Sequence, residues 1–340
     1  MIDETACTLT VERKSLPLAN PFRISGHVFT SSDVIEVALS DGRHVGRGEA
    51  AGVYYLADGV PQMLAAVESV RDAVERGVDR AGLRALLPAG GARNALDAAL
   101  WELEAKRSGK PVWQLAGLDA APRPIVTTFT LGAEAPGLMA ERALAFADPQ
   151  AIKIKLTGDL ALDLARVGAV RAARPECWIG VDANQGFAIG ELDTLVEGLV
   201  ALDVKLLEQP LARGREADLD GYACPIPIAA DESVLTLDDV AGAVGRFQVI
   251  NIKLDKCGGL TEGLEMARAA RALGLGVMVG NMVGSSLSMA PAFILGQLCD
   301  IVDLDGPIFL AEDRVPAIVY DRGTAWCGED LWGRDSIDAG

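Results

Sequence analysis

Histidine is nearly missing from this chain of 340 residues: His27 and His44 are the two it has, which leaves little room for histidine-based catalysis. The six cysteines (Cys7, Cys177, Cys224, Cys257, Cys299 and Cys327) fall without any Cys-x-x-Cys pair. That spacing argues against a zinc site and against a secreted disulfide framework, and it fits a reducing cytoplasm. No apolar run reaches the ~18 residues of a membrane span. The start, Met-Ile-Asp-Glu-Thr, has neither the basic end nor the apolar stretch of a signal peptide, so a cytoplasmic protein with no membrane partner is expected. Basic residues are outnumbered 31 to 48, and a net charge of −17 disfavours nucleic acid, whose phosphates demand Lys and Arg clusters. A small substrate inside a pocket is left open.

What is present is globular: 50% of residues are hydrophobic and 23% charged. A chain of this length exceeds the usual single domain and buries roughly 75% of its unfolded surface. Residues 4–13 and 33–40 alternate as half-buried strands do, with a Ser-Asp-Gly turn at 40–42 leading into Val45–Glu49. From 60 to 107 the period becomes helical; Ala95, Leu96, Ala99, Leu100 and Leu103 repeat at i, i+3, i+4. After Pro122 and Pro124, short β-rich runs alternate with amphipathic stretches. Eight strands are expected: Val126–Leu131, Ala151–Leu156, Trp178–Ala183, Lys205–Gln209, Ile226–Asp231, Gln248–Leu254, Gly276–Gly280 and Ile301–Asp305. Helical patterns between them, such as Leu160–Ala173, Thr261–Leu273 and Ser288–Leu298, predict an α/β architecture with a parallel sheet closed into a barrel.

In such barrels chemistry sits at the C-terminal ends of the strands. Asp182, Glu208 and Asp231 end three consecutive strands. One acid at a strand end is most often a helix cap, but three neighbouring carboxylates in a barrel mouth repel unless a cation intervenes, and oxygen-only ligands suit Mg²⁺. Lys153 and Lys155 precede them on one strand, and their i, i+2 spacing sends both side chains to the same face. Lys253 lies on the sixth strand, across the barrel. A lysine pKa near 10.4 must fall before the amine serves as a base near neutrality, and a neighbouring cation with partial desolvation pushes it that way. The alternative for each lysine is an ion pair with the acids.

The set Lys-x-Lys, Asp-Ala-Asn, Glu-Gln-Pro, Ala-Asp-Glu-Ser and Asn-Ile-Lys-Leu-Asp-Lys-x-Gly-Gly resembles the muconate-cycloisomerase subgroup of the enolase superfamily over nearly the whole chain. That resemblance implies a modified (β/α)7β TIM barrel over 121–307. It also implies an α+β capping domain over 1–120, completed by 308–340. Mg²⁺ would sit on Asp182, Glu208 and Asp231, with Lys155 and Lys253 as acid/base residues on opposite substrate faces. Lys153 would lie beside the substrate carboxylate and help to stabilise an enediolate, and Thr128 resembles a substrate-contacting threonine of the family. Asp303 and Asp305 share one strand face in Ile-Val-Asp-Leu-Asp-Gly-Pro. There the chain is similar to the dipeptide epimerases, which hold the free ammonium of the substrate at that place. The segment from Leu86 to Trp101 resembles the capping-domain helix of the L-Ala-D/L-Glu epimerases and is expected to serve packing.

One departure stands out. The arginine that the resemblance places in the first capping loop, facing a glutamate side chain, is missing from Pro21-Phe-Arg-Ile-Ser-Gly-His-Val-Phe29. Arg23 and His27 are the nearby substitutes, although a guanidinium fork and an imidazole are not interchangeable. Tyr54 and Tyr55 in the second loop are placed to cover an apolar or aromatic residue or to close the site. The expected function is a Mg²⁺-dependent dipeptide epimerase working by two-base proton transfer at the α-carbon of the C-terminal residue. The alternatives are an N-acylamino acid racemase or o-succinylbenzoate synthase and, from another class, a non-catalytic barrel that binds a peptide or small acid. A small-molecule dipeptide is the expected partner, with a homo-oligomer expected by analogy only.

Overall fold

The alternating segment at the start of the chain forms a sheet, but with longer arms than 4–13 and 33–40. β1 (Thr8–Ile24) and β2 (His27–Ser40) pair antiparallel, and β3 (Val45–Ala50) flanks β2. Pro17 and Pro21 make the later part of β1 unlike a strand, because proline gives no ladder donor. A register shift between Pro17 and Phe22 accommodates them, and pairing resumes at Phe22 with Phe29. The computed structural model describes residues 6–24 and 27–334, with the backbone alone for Arg23, Ile24 and His27. The side chains of Arg23 and His27, proposed from the sequence to face the substrate, therefore lie outside the described residues.

Helices α1 (Val60–Glu75), α2 (Arg80–Leu86) and α3 (Gly91–Ser108) cover this sheet. Ile35, Val37 and Leu39 from β2 meet Met63, Val67, Leu96 and Leu103 in one apolar cluster. A second, larger core lies within the barrel layer, where Ile152, Ile154, Ile179, Val181 and Leu207 pack with the surrounding helices.

After β4 (Ile125–Val126), eight parallel strands follow in neighbour order: β5 (Thr128–Leu131), β6 (Ala151–Lys155), β7 (Trp178–Asp182), β8 (Leu206–Glu208), β9 (Ile228–Ala230), β10 (Val249–Lys253), β11 (Gly276–Gly280) and β12 (Ile301–Val302). All eight expected strands are present; Gly276–Gly280 has the expected bounds and the other seven are shorter at one or both ends. Helices Leu160–Ala173, Leu260–Ala272 and Ser286–Gly296 lie close to where the periodicity puts them. Around β9 the alternation weakens, and 3-10 segments Glu216–Leu219 and Leu237–Ala243 take the place of α-helices. Gly214 and Gly221, both in the left-handed region, bracket the first of these and leave no room for a longer helix.

Side chains join the first and last strands. Leu304 N donates to Thr127 Oγ1 (2.9 Å), Thr130 N to Asp305 Oδ2 (2.6 Å) and Thr128 Oγ1 to Asp303 Oδ1 (2.5 Å). The chain's end serves both regions. β13 (Val319–Asp321) and β14 (Thr324–Trp326) build a small sheet on β4, while Arg47 donates to Leu331 O and Trp332 donates to Arg47 O. Among the described residues no helix is long and apolar enough to cross a membrane.

Candidate active site

Strand register sets the floor of the site. Lys155 is level with Asp182, and Asp182 with Glu208; Asp231 follows the end of β9. Asp182, Glu208 and Asp231 each offer a carboxylate oxygen within 4.8 Å of the others, all three buried. These are hard oxygen donors converging on one point, a set suited to a divalent cation such as Mg²⁺.

Cations crowd the acids. Lys155 Nζ lies 2.5 Å from Asp182 Oδ2, and Lys253 Nζ 2.6 Å from Asp231 Oδ2. Lys153 Nζ lies 2.7 Å from Glu208, 2.9 Å from Asp303 and 3.2 Å from Asp182. β6 and β10 are four places apart in the order of eight, so Lys155 and Lys253 approach the acids from opposite sides. The proximity shapes protonation in opposite senses within the cluster. Burial pushes Glu208 up to about 7 with help from Asp182, whereas Asp182 is held at about 2 because Lys155 and Lys153 overcome its burial. Burial alone would lower Lys253, as the sequence suggests, but Asp231 outweighs it and the amine is held well above the ordinary lysine range.

A cavity of about 570 Å³ opens between the mouth of the barrel and the N-terminal sheet. Lys155, Lys253, Asp231, Tyr54, Tyr55 and Arg13 are among its walls. Lys153, Thr128, Asp303 and Asp305 are not; they lie buried beneath it. Asp303 has both oxygens engaged, by Thr128 and by Lys153, while Asp305 accepts from Thr130 N through one oxygen. The two acids, equivalent by spacing, are therefore inequivalent in their surroundings. Burial and the Asp303 charge push Asp305 up to about 7, while Lys153 overcomes burial to hold Asp303 below its usual range.

Sequence reasoning passed over several residues that build this floor. Lys256, one turn beyond Lys253, is fully enclosed, donating to Asp231 Oδ1 (2.6 Å), Asp231 O (2.5 Å), Val234 O (3.0 Å) and Asn251 O (3.0 Å). Asn251 Nδ2 donates to Glu208 Oε1 (2.8 Å), and Gln209 Oε1 accepts from Asp231 N (3.0 Å). Lys256 and Asn251 stand in the same short motif as Lys253, which was the available signal. The Gly-Gly closing that motif also has a reason: Cβ atoms at Gly258 and Gly259 would lie 2.2 Å from Arg93 Nε and 2.5 Å from Asp97 Oδ2. Arg93 donates to Cys257 O and Glu262, and Asp97 accepts from Thr261. Helix α3, read from the sequence as packing, is thereby locked to the segment that follows Lys253.

Asp255 completes the junction. Its Oδ1 accepts from Ala51 N (3.0 Å) and Gly52 N (3.1 Å), which start the loop carrying Tyr54 and Tyr55. Asp58, at the other end of that loop, accepts from Gly91 N (2.7 Å) at the start of α3.

Comparison with known proteins agrees with this arrangement. Residues 6–117 match the N-terminal domain of the mandelate racemase/muconate lactonizing enzyme family, and residues 138–303 match the enolase C-terminal domain-like family. The chain is 36% identical to the L-Ala-D/L-Glu epimerase of Escherichia coli strain K12, over 93% of this chain and 98% of that protein. It is 44% identical to an N-acetyl-D-glutamate racemase of a Pseudoalteromonas species, over 70% of this chain and 74% of that protein. Among solved structures it is similar to an enolase family member from Agrobacterium tumefaciens with homology to dipeptide epimerases, which holds sodium and L-Ala-L-Glu. That match has a TM-score of 0.92 and 39% identity, and covers 96% of this chain and 99% of the other. The chain belongs to the mandelate racemase/muconate lactonizing enzyme family of the enolase superfamily.

Proposed function

We propose that this protein is a Mg²⁺-dependent epimerase that inverts the α-carbon of the C-terminal residue of a dipeptide of the L-Ala-D/L-Glu type. The observation that carries the reading is the pair of lysines, Lys155 and Lys253, on opposite sides of three buried carboxylates and on the wall of one cavity. A base on each face permits removal of the α-proton from one side and delivery from the other, which is what inversion requires.

Asp182, Glu208 and Asp231 would hold the metal. When bound, it supplies Lewis-acid stabilisation of the substrate carboxylate as negative charge develops there. Lys253 is kept protonated by Asp231, so neutralising that carboxylate brings the amine closer to the protonation balance a base needs. Lys155, ion-paired with Asp182, would take the other face. Lys153 would hold a fixed positive charge beneath the reacting carboxylate. Asp305 would receive the ammonium of the dipeptide, with Asp303 holding Lys153 and Thr128 in place.

Support for the glutamyl substrate comes from relatives: the Escherichia coli protein is named for L-Ala-D/L-Glu, and the Agrobacterium structure holds L-Ala-L-Glu. A second reading, racemisation of an N-acylated glutamate, is favoured by the 44% identity to the N-acetyl-D-glutamate racemase and by the full engagement of Asp303 within the protein. Incubation in D₂O with Mg²⁺ and a set of L,L-dipeptides, alongside N-acetyl-L-glutamate, separates the two. Deuterium should enter the C-terminal α-carbon of the dipeptide. Exchange of N-acetylglutamate alone would replace the first reading with the second.

A further inference from the structure

One polar group in the catalytic cavity has no use in the mechanism above. The hydroxyl oxygen of Tyr55 is enclosed, and no described side-chain or backbone group satisfies it. A buried hydroxyl left without a partner is costly, so such a group calls for an explanation. Nor is the loop that carries it free to swing the hydroxyl elsewhere. Asp255 grips Ala51 N and Gly52 N, Asp58 grips Gly91 N, and a Cβ at Gly52 would meet Asp58 O at 1.9 Å. The ring of Tyr55 stands edge-on to Tyr54 at 5.1 Å, and Tyr54 stands edge-on to Phe29 at 5.5 Å.

The surroundings of the hydroxyl set its protonation. Burial and then the Asp231 carboxylate push the Tyr55 phenol far above its ordinary range, with Lys253 and Glu232 the next charged neighbours. The phenol therefore stays protonated and serves as a donor. Tyr55 lines the same cavity as Asp231, the acid that follows β9, and Lys253, the second lysine. A substrate whose α-hydrogen points at Lys253 and whose carboxylate points at the acids presents a carboxylate oxygen to that space; its side chain leaves the α-carbon in another direction.

Resting on the two-lysine reading above, we propose that Tyr55 is a further catalytic residue, whose hydroxyl donates a hydrogen bond to the α-carboxylate of the residue being inverted. The bond strengthens as that carboxylate becomes an enediolate, so it stabilises the transition state more than the ground state.

Tyr55→Phe removes one oxygen and keeps the ring. Its kcat should fall on the order of 10²-fold for L-Ala-L-Glu and equally for L-Ala-L-Leu if the parent turns over both, with KM nearly unchanged. Loss confined to the glutamyl substrate would make Tyr55 a reader of the side chain and overturn the proposal, as would an unchanged kcat. A second arm needs no turnover: calorimetric binding, with Mg²⁺ present, of oxalate, a planar dianion shaped like an enediolate, and of acetate. Tyr55→Phe should weaken oxalate about tenfold or more and acetate far less. Equal effects on both anions would overturn the proposal even if the parent protein exchanged no dipeptide at all, an outcome that would separately remove the epimerase reading.

Discussion

The floor of the cavity and its roof are built on different principles. On the floor, the functional groups sit on the strands or just past their ends and are answered by buried countercharges: Lys155 by Asp182, Lys253 and Lys256 by Asp231, Lys153 by Glu208 and Asp303. Across the roof, Tyr54, Tyr55 and Phe29 meet through ring edges, and their loop is held by backbone N–H groups donating to Asp255 and Asp58. A saturated ionic floor suits chemistry shared by many substrates, because carboxylate, metal and lysines are common to all of them. A roof held through main-chain bonds can change its side chains without disturbing the clamp, and specificity can therefore vary there.

The sharpest way to break this contrast is on the floor. Lys253→Ala should lower epimerisation on the order of 10³-fold. Exchange of the α-proton in D₂O should vanish for one epimer and partly survive for the other. Equal loss for both epimers would mean that the two sides of the floor do not act on two faces.

A smaller effect should separate the acids beneath. Asp305→Asn should weaken a free dipeptide about 10- to 100-fold while leaving an N-acylated amino acid nearly unaffected, since a charge-assisted hydrogen bond contributes roughly 1.5 to 3 kcal/mol. Asp303→Asn should impair both, because Asp303 supports Lys153 and Thr128. Steady-state KM values for the two substrate classes decide this, and identical losses for Asp305→Asn would remove its role with the ammonium.

The smallest effect concerns the clamp between floor and roof. Burial pushes Asp255 up to about 7, above its unfolded value near 3.8. Protonation thus favours the folded state: that contribution is complete below the unfolded pKa and is lost as pH rises through 7. Asp255→Asn keeps the acceptor oxygen and removes the titration. Parent and variant should melt at similar temperatures near about pH 4, and the variant should be more stable by several °C at about pH 8. Thermal melts across this range check the sign, and a gap that narrows toward pH 8 would show that the Asp255 carboxylate charge itself holds the loop.

Legibility followed the same division. Asp182, Glu208 and Asp231 could be read because each follows an apolar strand, and Lys153 with Lys155 because a strand has period two. The face shared by Asp303 and Asp305 was readable for that reason, but their inequivalence was not, since Thr128, Thr130 and Lys153 reach them across more than 145 residues of sequence. The continuation of β1 past Pro17 was obscured by a local rule that the bulge satisfies. Arg93 and Asp97 stand four residues apart in α3, and nothing local says that Gly258 and Gly259 leave space for them.

By itself, then, the sequence determined the barrel, its strand ends and the residue types that meet there, because periodicity and turn chemistry are short-range. Tertiary structure alone decided which cation neutralises which acid, which of two aspartates keeps an oxygen free of Lys153 and Thr128, and which tyrosine hydroxyl is enclosed without a partner among the described residues. Those outcomes depend on distance and burial between segments far apart in the chain, where Coulombic and desolvation effects are set by the folded surroundings rather than by neighbours in sequence.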